Sequence, residues 1–276
     1  MPDYLRPARL EDALTALARP FTVLAGGTDF YPARVGRSID EDVLDISAIA
    51  GLRGISAGPE GWRLGATTTW SELVAASLPP LFDGLKQAAI EVGGRQIQNA
   101  GTLAGNLCNA SPAADGVPPL LALDAEVEIA SRTGSRRVPL AAFITGNRRT
   151  VLLPGELVVA LHVPRPAGDA RSAFLKLGAR RYLVISIAMA AATLETAAGR
   201  IVRARVAVGA CSAVAQRLPA LEAALAGTPL DAALGDRVEA AHLAPLAPID
   251  DVRGSAGYRN EAALTLLRRL LQGFVP

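Results

Sequence analysis

Cysteine and histidine are nearly missing from these 276 residues, with two of each. Cys108 and Cys211 stand about a hundred residues apart, and neither belongs to a C-x-x-C pattern. An iron–sulfur cluster needs about four thiolates, so this chain cannot hold one by itself. His162 and His242 are isolated and offer no spacing for a zinc site. No histidine–carboxylate pair for general-base work and no nucleophile with a partner base can be assigned. Aromatic residues make up only 4%, which predicts an aliphatic core. Lys86 and Lys176 are the only lysines, yet 28 basic against 26 acidic residues leave a net charge of +2. That near-balance argues against a nucleic-acid surface. No apolar run reaches the ~18 residues of a membrane-spanning helix. Met1-Pro2-Asp3-Tyr4 lacks the basic start and apolar run of a signal peptide. The expectation is a soluble, cytoplasmic protein.

What is present is half apolar and one-fifth charged, enough for a substantial core and for two domains. Leu10–Ala18 has helical spacing, with Leu10, Leu14 and Leu17 on one face. Phe21–Ala25 and Val43–Ile46 read as strands around it, a compact β-α-β-like unit. Trp62–Ala66 is a strand, Thr69–Ala76 and Leu81–Val92 are helices, and Gly93-Gly94 stops the second. Pro119–Leu123 reads as a short helix; Ala125–Ser131 alternates as a half-buried strand, and Glu156–Val163 is strand-like. Composition shifts at Pro164–Asp169, which predicts a linker. Beyond it Ser172–Leu177, Ile185–Glu195 and Ile201–Cys211 are strand candidates at hairpin intervals. Leu218–Ala226, Ala232–Ala241 and Ala256–Leu271 read as helices. The last third is therefore an α+β unit, a small antiparallel sheet with packed helices.

Two glycine-rich turns lie some 75 residues apart, at Val23–Phe30 (V-L-A-G-G-T-D-F) and from Asn99 onward (N-A-G-T-L-A-G-N-L-C-N-A-S-P-A-A-D-G). Glycine has no Cβ and tolerates φ > 0, so such turns can bring backbone N–H groups to an anion. One turn could serve a single phosphate; two suit the diphosphate of a dinucleotide. The plainer alternatives are a strand-to-helix connection at Gly26-Gly27, an N-cap pair at Thr28-Asp29, and a self-satisfied polar loop at Asn106, Asn109 and Ser111. Cys108 reads as a small buried filler and His162 as a structural histidine. Arg180 and Arg181 read as surface or interface residues, and Asp250-Asp251 as a cap for the final helix or a turn.

The chain resembles the FAD-binding subunit of the molybdenum hydroxylases along nearly all its length. The resemblance rests on A-G-G-T-D at Ala25–Asp29, T-L-A-G-N at Thr102–Asn106, A-S-P-A-A-D at Ala110–Asp115 and P-P-L-L-A-L-D-A at Pro118–Ala125. It continues with F-L-K-L-G-A-R-R at Phe174–Arg181 and P-I-D-D-V-R-G-S-A-x-Y-R at Pro248–Arg259. The resemblance implies an α+β architecture with a two-subdomain, PCMH-like FAD-binding region over residues 1–168, the subdomains covering about 1–55 and 56–168. A C-terminal domain, 169–276, closes over the flavin.

The resemblance also implies site residues. Leu24, Ala25, Gly26, Gly27, Thr28, Asp29 and Phe30 form the first diphosphate turn. Thr102, with the backbone of Leu103, Ala104, Gly105 and Asn106, forms the second, with Ser111 nearby. Asp115 serves the ribose or adenosine side, Val158 packs on the ring system, and Lys176 approaches the isoalloxazine from the C-terminal domain. FAD is expected to be non-covalent. Two [2Fe–2S] clusters would sit on a small subunit and a molybdenum–pterin centre on a large one, the whole a dimer of heterotrimers. Two departures stand out: Ala104 replaces a glycine usual in relatives, and Leu183-Val184-Ile185 replaces a stretch that often carries an acid. The competing readings are a self-sufficient flavin oxidase or dehydrogenase, and a scaffold that has lost its flavin.

Overall fold

The computed structural model describes residues 2–275. The chain opens with β1 (Tyr4–Leu5), α1 (Leu10–Ala16), β2 (Thr22–Leu24) and β3 (Val43–Asp45). The strands form a parallel sheet in the order β1-β3-β2. Leu14 and Leu17 of the predicted apolar face are buried against Leu44 and Ile46. Strand β2 is only three residues long and delivers the chain directly into the first glycine turn.

Next come β4 (Ile55–Gly58), β5 (Gly61–Gly65), α2 (Trp70–Ala75), α3 (Asp83–Glu91), α4 (Arg95–Ala100), α5 (Leu103–Asn109), α6 (Val117–Ala122), β6 (Glu126–Ser131) and β7 (Gly134–Pro139). They are followed by α7 (Leu140–Phe143), β8 (Ile144–Gly146), β9 (Arg149–Thr150) and β10 (Leu157–Pro164). An antiparallel sheet runs β4-β5-β10-β6-β7, and β8 and β9 pair separately. β10 is its middle strand and is buried on both faces. Leu157 and Val159 join the core under α1, while Val158, Leu161 and Val163 join the core around Trp70, Phe82 and Leu120. This explains a continuous apolar run where a half-buried strand would alternate.

The last part holds β11 (Asp169–Leu177), β12 (Ala188–Ala197), β13 (Arg200–Gly209), β14 (Gln216–Arg217), α8 (Pro219–Leu225) and α9 (Ala256–Gln272), with the strands antiparallel in chain order. Here too the middle of the sheet is covered twice. Ala188, Ala190, Ala192 and Leu194 face α8 and α9, and Met189 and Ala191 face Ala88 of α3 and Ala122 of α6. Small side chains along β12 let helices approach from both sides.

Several expectations change. Ala232–Ala241 is not an α-helix but two single 3-10 turns, Gly235–Arg237 and Ala240–Leu243. Gly235 explains this: a Cβ there would lie 2.6 Å from the Arg268 carbonyl oxygen, so its backbone is pressed on α9. Strand β12 starts three residues later than predicted, because Leu183 adopts φ +54° and Ile185 is exposed. Helices α4 and α5 and strand β7 were not anticipated; α4 and α5 occupy the second glycine-rich stretch itself.

Candidate functional site

The first turn follows from how β2 ends. Its last carbonyl, on Leu24, accepts the Ile46 amide at 2.9 Å, and the chain then bends through Ala25–Phe30. Gly27 has φ +72°, and a Cβ on it would lie 2.6 Å from the Tyr31 ring. The turn closes through its carbonyl groups: Gly27 accepts from the Tyr31 amide and Asp29 from the Ala33 amide, both at 3.1 Å. Its own amides are left over. Among the described residues, none of the five successive N–H groups from Gly26 to Phe30 donates to a backbone acceptor, and no side chain accepts from them either. A run of unpartnered amides next to a positive-φ glycine is the arrangement that receives an anion.

The second turn is built differently. Gly101 donates to the Ile97 carbonyl at 2.6 Å and accepts from Trp70 at 3.2 Å, while Thr102 bridges to Thr69. The Leu103 and Ala104 amides go to the Thr68 and Ala66 carbonyls at 3.0 and 3.3 Å. The Gly105 amide goes to Thr102 Oγ1 at 3.1 Å and the Asn106 amide to the Thr102 carbonyl at 3.1 Å. The expected second amide cradle is therefore corrected: these N–H groups are consumed in starting α5 and joining it to the segment between β5 and α2. What this turn offers instead are side chains. Thr102 keeps a hydroxyl proton to donate, and Asn106 uses its Oδ1 on the Gly116 amide at 3.2 Å, leaving its NH2.

The two turns touch. A Cβ on Gly26 would lie 1.8 Å from the Ala100 carbonyl oxygen and 3.1 Å from Gly101 Cα. A Cβ on Gly101 would lie 3.3 Å from Thr28 Oγ1. Only glycine permits this approach. Ala104 sits inside α5, outside the positive-φ positions, so its methyl group is unstrained.

Between the turns and β10 lies a cavity of about 460 Å³. Leu24 through Phe30, Thr102, Ala104, Gly105, Asn106 and Val158 line it, and Leu103, Ser111, Asp115 and Lys176 do not. Leu103 is fully buried in the core. The Ser111 hydroxyl accepts the Ala113 amide at 3.3 Å in a local turn. Asp115 and Lys176, expected as separate ligands, satisfy each other instead: Lys176 Nζ is 2.6 Å from Asp115 Oδ2, with both side chains under 10% exposed. The Ser186 hydroxyl donates to Asp115 Oδ1 at 2.6 Å, and Arg253 reaches the Ser186 carbonyl at 3.3 Å. Burial pushes the Asp115 carboxyl upward, and Lys176 and Ser186 oppose it. Asp115 is one residue from the Gly116 amide that Asn106 holds.

Other lining residues carried no sequence signal. Arg34 stacks over the Phe30 ring at 3.8 Å, donates to the Phe30 carbonyl at 2.8 Å and pairs with Glu41. Ile46, Ile97 and Leu152 supply apolar wall, and Glu156 lines the cleft while bound to Arg136 at 2.8 Å. The Arg136 hydrogen bonds hold the Glu156 carboxyl below its ordinary range. These residues come from separate elements, so no local pattern joins them. Cys108 is corrected from buried filler to an exposed residue in the cleft wall. His162 bonds Glu128 at 2.7 Å, and Asp250 caps α9 through the Ala256 amide at 2.5 Å. A second cavity of about 460 Å³, on the outer face of the five-stranded sheet, is lined by Arg63, Arg137, Glu60 and Glu126. Its charges are largely paired with one another: Arg137 lies 3.7 Å from Glu60 and 4.0 Å from Glu126.

Residues 1–166 match the family model described as the FAD binding domain in molybdopterin dehydrogenase. Residues 173–274 match that of the CO dehydrogenase flavoprotein C-terminal domain. The chain is 32% identical to a xanthine dehydrogenase FAD-binding subunit of Escherichia coli O157:H7, over 97% of this chain and 94% of that one. It is 32% identical to the carbon monoxide dehydrogenase medium chain of Afipia carboxidovorans, over 98% and 95% respectively. A solved structure of reconstituted CO dehydrogenase from Oligotropha carboxidovorans superposes with a TM-score of 0.89 at 28% identity, covering 99% of this chain and 96% of that one. FAD suits the cleft on the structure's own terms: free amides for a diphosphate, hydroxyl and amide side chains beside them, and aliphatic walls for flat rings. Matching both models in tandem over most of its length, the chain belongs to the FAD-binding medium subunits of the molybdenum hydroxylases, a family of oxidoreductases.

Proposed function

We propose that this chain is the electron-transferring flavoprotein of a cytoplasmic molybdenum hydroxylase. Its role is to pass electrons from two [2Fe–2S] clusters of a small subunit to an external acceptor, after a substrate is hydroxylated at the molybdenum–pterin centre of a large subunit. The assembly proposed is a dimer of heterotrimers. The observation that carries the reading is the run of free amides from Gly26 to Phe30, lying against the second glycine turn. Bound FAD would supply the electron-carrying chemistry, and the protein's part is to bind and tune it.

In this assignment Leu24 through Phe30 form the diphosphate turn, with the amides of Gly26 to Phe30 holding the anion. Thr102 and Asn106 add side-chain donors, with Ser111 supporting their loop. Leu103, Ala104 and Gly105 present α5 to the cleft, and Val158 gives an apolar wall. Asp115 and Lys176 set the charge behind that wall. Residues 1–168 act as the binding domain, with subdomains of about 1–55 and 56–168, and residues 169–276 brace it. Non-covalent binding is favoured by histidines placed outside the cleft.

Absorbance of the purified protein tests this. An oxidised-flavin spectrum whose chromophore is released by acid as free FAD is expected. Gly27→Val is expected to abolish retention, because a β-branched residue resists φ > 0 and would collide with Tyr31. Colour that stays on denatured protein would refute non-covalent binding. Normal flavin retention by Gly27→Val would remove the first turn from the site.

A further inference from the structure

Arg148 lies in the turn between β8 and β9 and is one of the few non-glycine residues with positive φ, at +59°. Such a conformation is costly for a non-glycine residue and persists only where the surroundings fix it. Here they do. The Arg148 amide donates to the Ala110 carbonyl at 2.9 Å, and Ala110 is itself the left-handed cap of α5. The guanidinium then turns back along α5. Its Nη1 donates to the Asn109 carbonyl at 3.3 Å and to Asn109 Oδ1. The same nitrogen lies 3.9 Å from Asp29 Oδ1. Asp29 belongs to the first turn and Asn109 ends the helix of the second, and both line the cleft. Among the described residues, Arg148 is the only cation within salt-bridge distance of Asp29.

Asp29 is a problem for the anion cradle. It belongs to the run of free amides and lines the same cleft, and its negative charge opposes the arrival of a diphosphate. A cation beside it cancels that opposition, and the C-terminal end of α5 favours a cation in the same place. Resting on the FAD reading above, we infer that Arg148 is a positioning residue for the dinucleotide: from the end of α5 it neutralises Asp29 beside the cradle.

The test titrates FAD into flavin-stripped protein, followed by flavin fluorescence, for wild type, R148A, R148K, D29N and R148A/D29N. R148A is expected to weaken binding on the order of tenfold, as loss of a charge-assisted contact would. R148K should recover part of the loss. D29N in the R148A background should restore affinity to within about twofold of wild type, since no carboxylate then needs neutralising. A folding defect would not be rescued this way. R148A binding like wild type, or a double variant as weak as R148A, overturns the inference. Wild-type protein that binds no FAD would instead overturn the proposed function.

Discussion

Cys108 shows how much a single position gains from its place in three dimensions. A lone cysteine after T-L-A-G-N-L reads as a small buried filler in a loop, yet it is exposed in the wall of the cleft, while Cys211 is fully buried. The pair makes a built-in probe. In flavin-stripped protein at about pH 9, Cys108 is expected to react with a small thiol-specific reagent and Cys211 to remain unreactive. Saturating FAD should protect Cys108. Equal labelling rates with and without FAD, read by mass spectrometry, would detach this cavity from flavin binding.

At the scale of elements, α5 and the turn before it divide the work of the site. The helix uses its first amides within the protein, so residue 104 needs helical backbone rather than glycine. Ala104→Gly is therefore expected to leave FAD retention unchanged and to lower stability by about 0.5–1 kcal/mol, the usual cost of glycine inside a helix. Loss of flavin in that variant would contradict this account of α5. Gly26→Ala is the opposite case. Its backbone is not at positive φ, but the added methyl would sit 1.8 Å from the Ala100 oxygen and force the turns apart. Loss of FAD with preserved secondary structure by circular dichroism is expected. Full retention would mean that contact between the turns is dispensable.

Across the whole molecule, the C-terminal sheet is fastened to the rest by packing on α3 and α6 and by an ion cluster. Asp124, just past α6 at φ +51°, accepts from Arg203 at 2.8 Å, Arg205 at 3.2 Å and Arg217 at 2.7 Å. Arg205 is almost fully buried and also pairs with Glu195 at 2.7 Å. Asp124→Asn keeps the shape and tolerates the left-handed backbone, but removes the charge that serves three arginines. Glu195 and Glu222 still pair with Arg205 and Arg217, so the loss is partial, about 1–3 kcal/mol in urea denaturation. An unchanged midpoint would show that packing alone holds the sheet in place.

Much of this was legible in the chain. Strands β6, β10, β11 and β13 and helices α1, α2 and α9 follow from apolar periodicity, because each buries one face or both against a neighbour. The glycine turns were legible too, because no other residue permits that backbone. Only the tertiary structure decided which polar groups are free. Asp115 and Lys176 are 61 residues apart and satisfy each other, and the amides of 103–106 find carbonyl partners on or beside α2 and within their own turn. Arg34, Glu156 and Arg148 reach the cleft region from three different elements. Local pattern records the period of burial and the need for glycine. Whether a donor has already found an acceptor depends on segments distant in sequence, and folding alone brings them together.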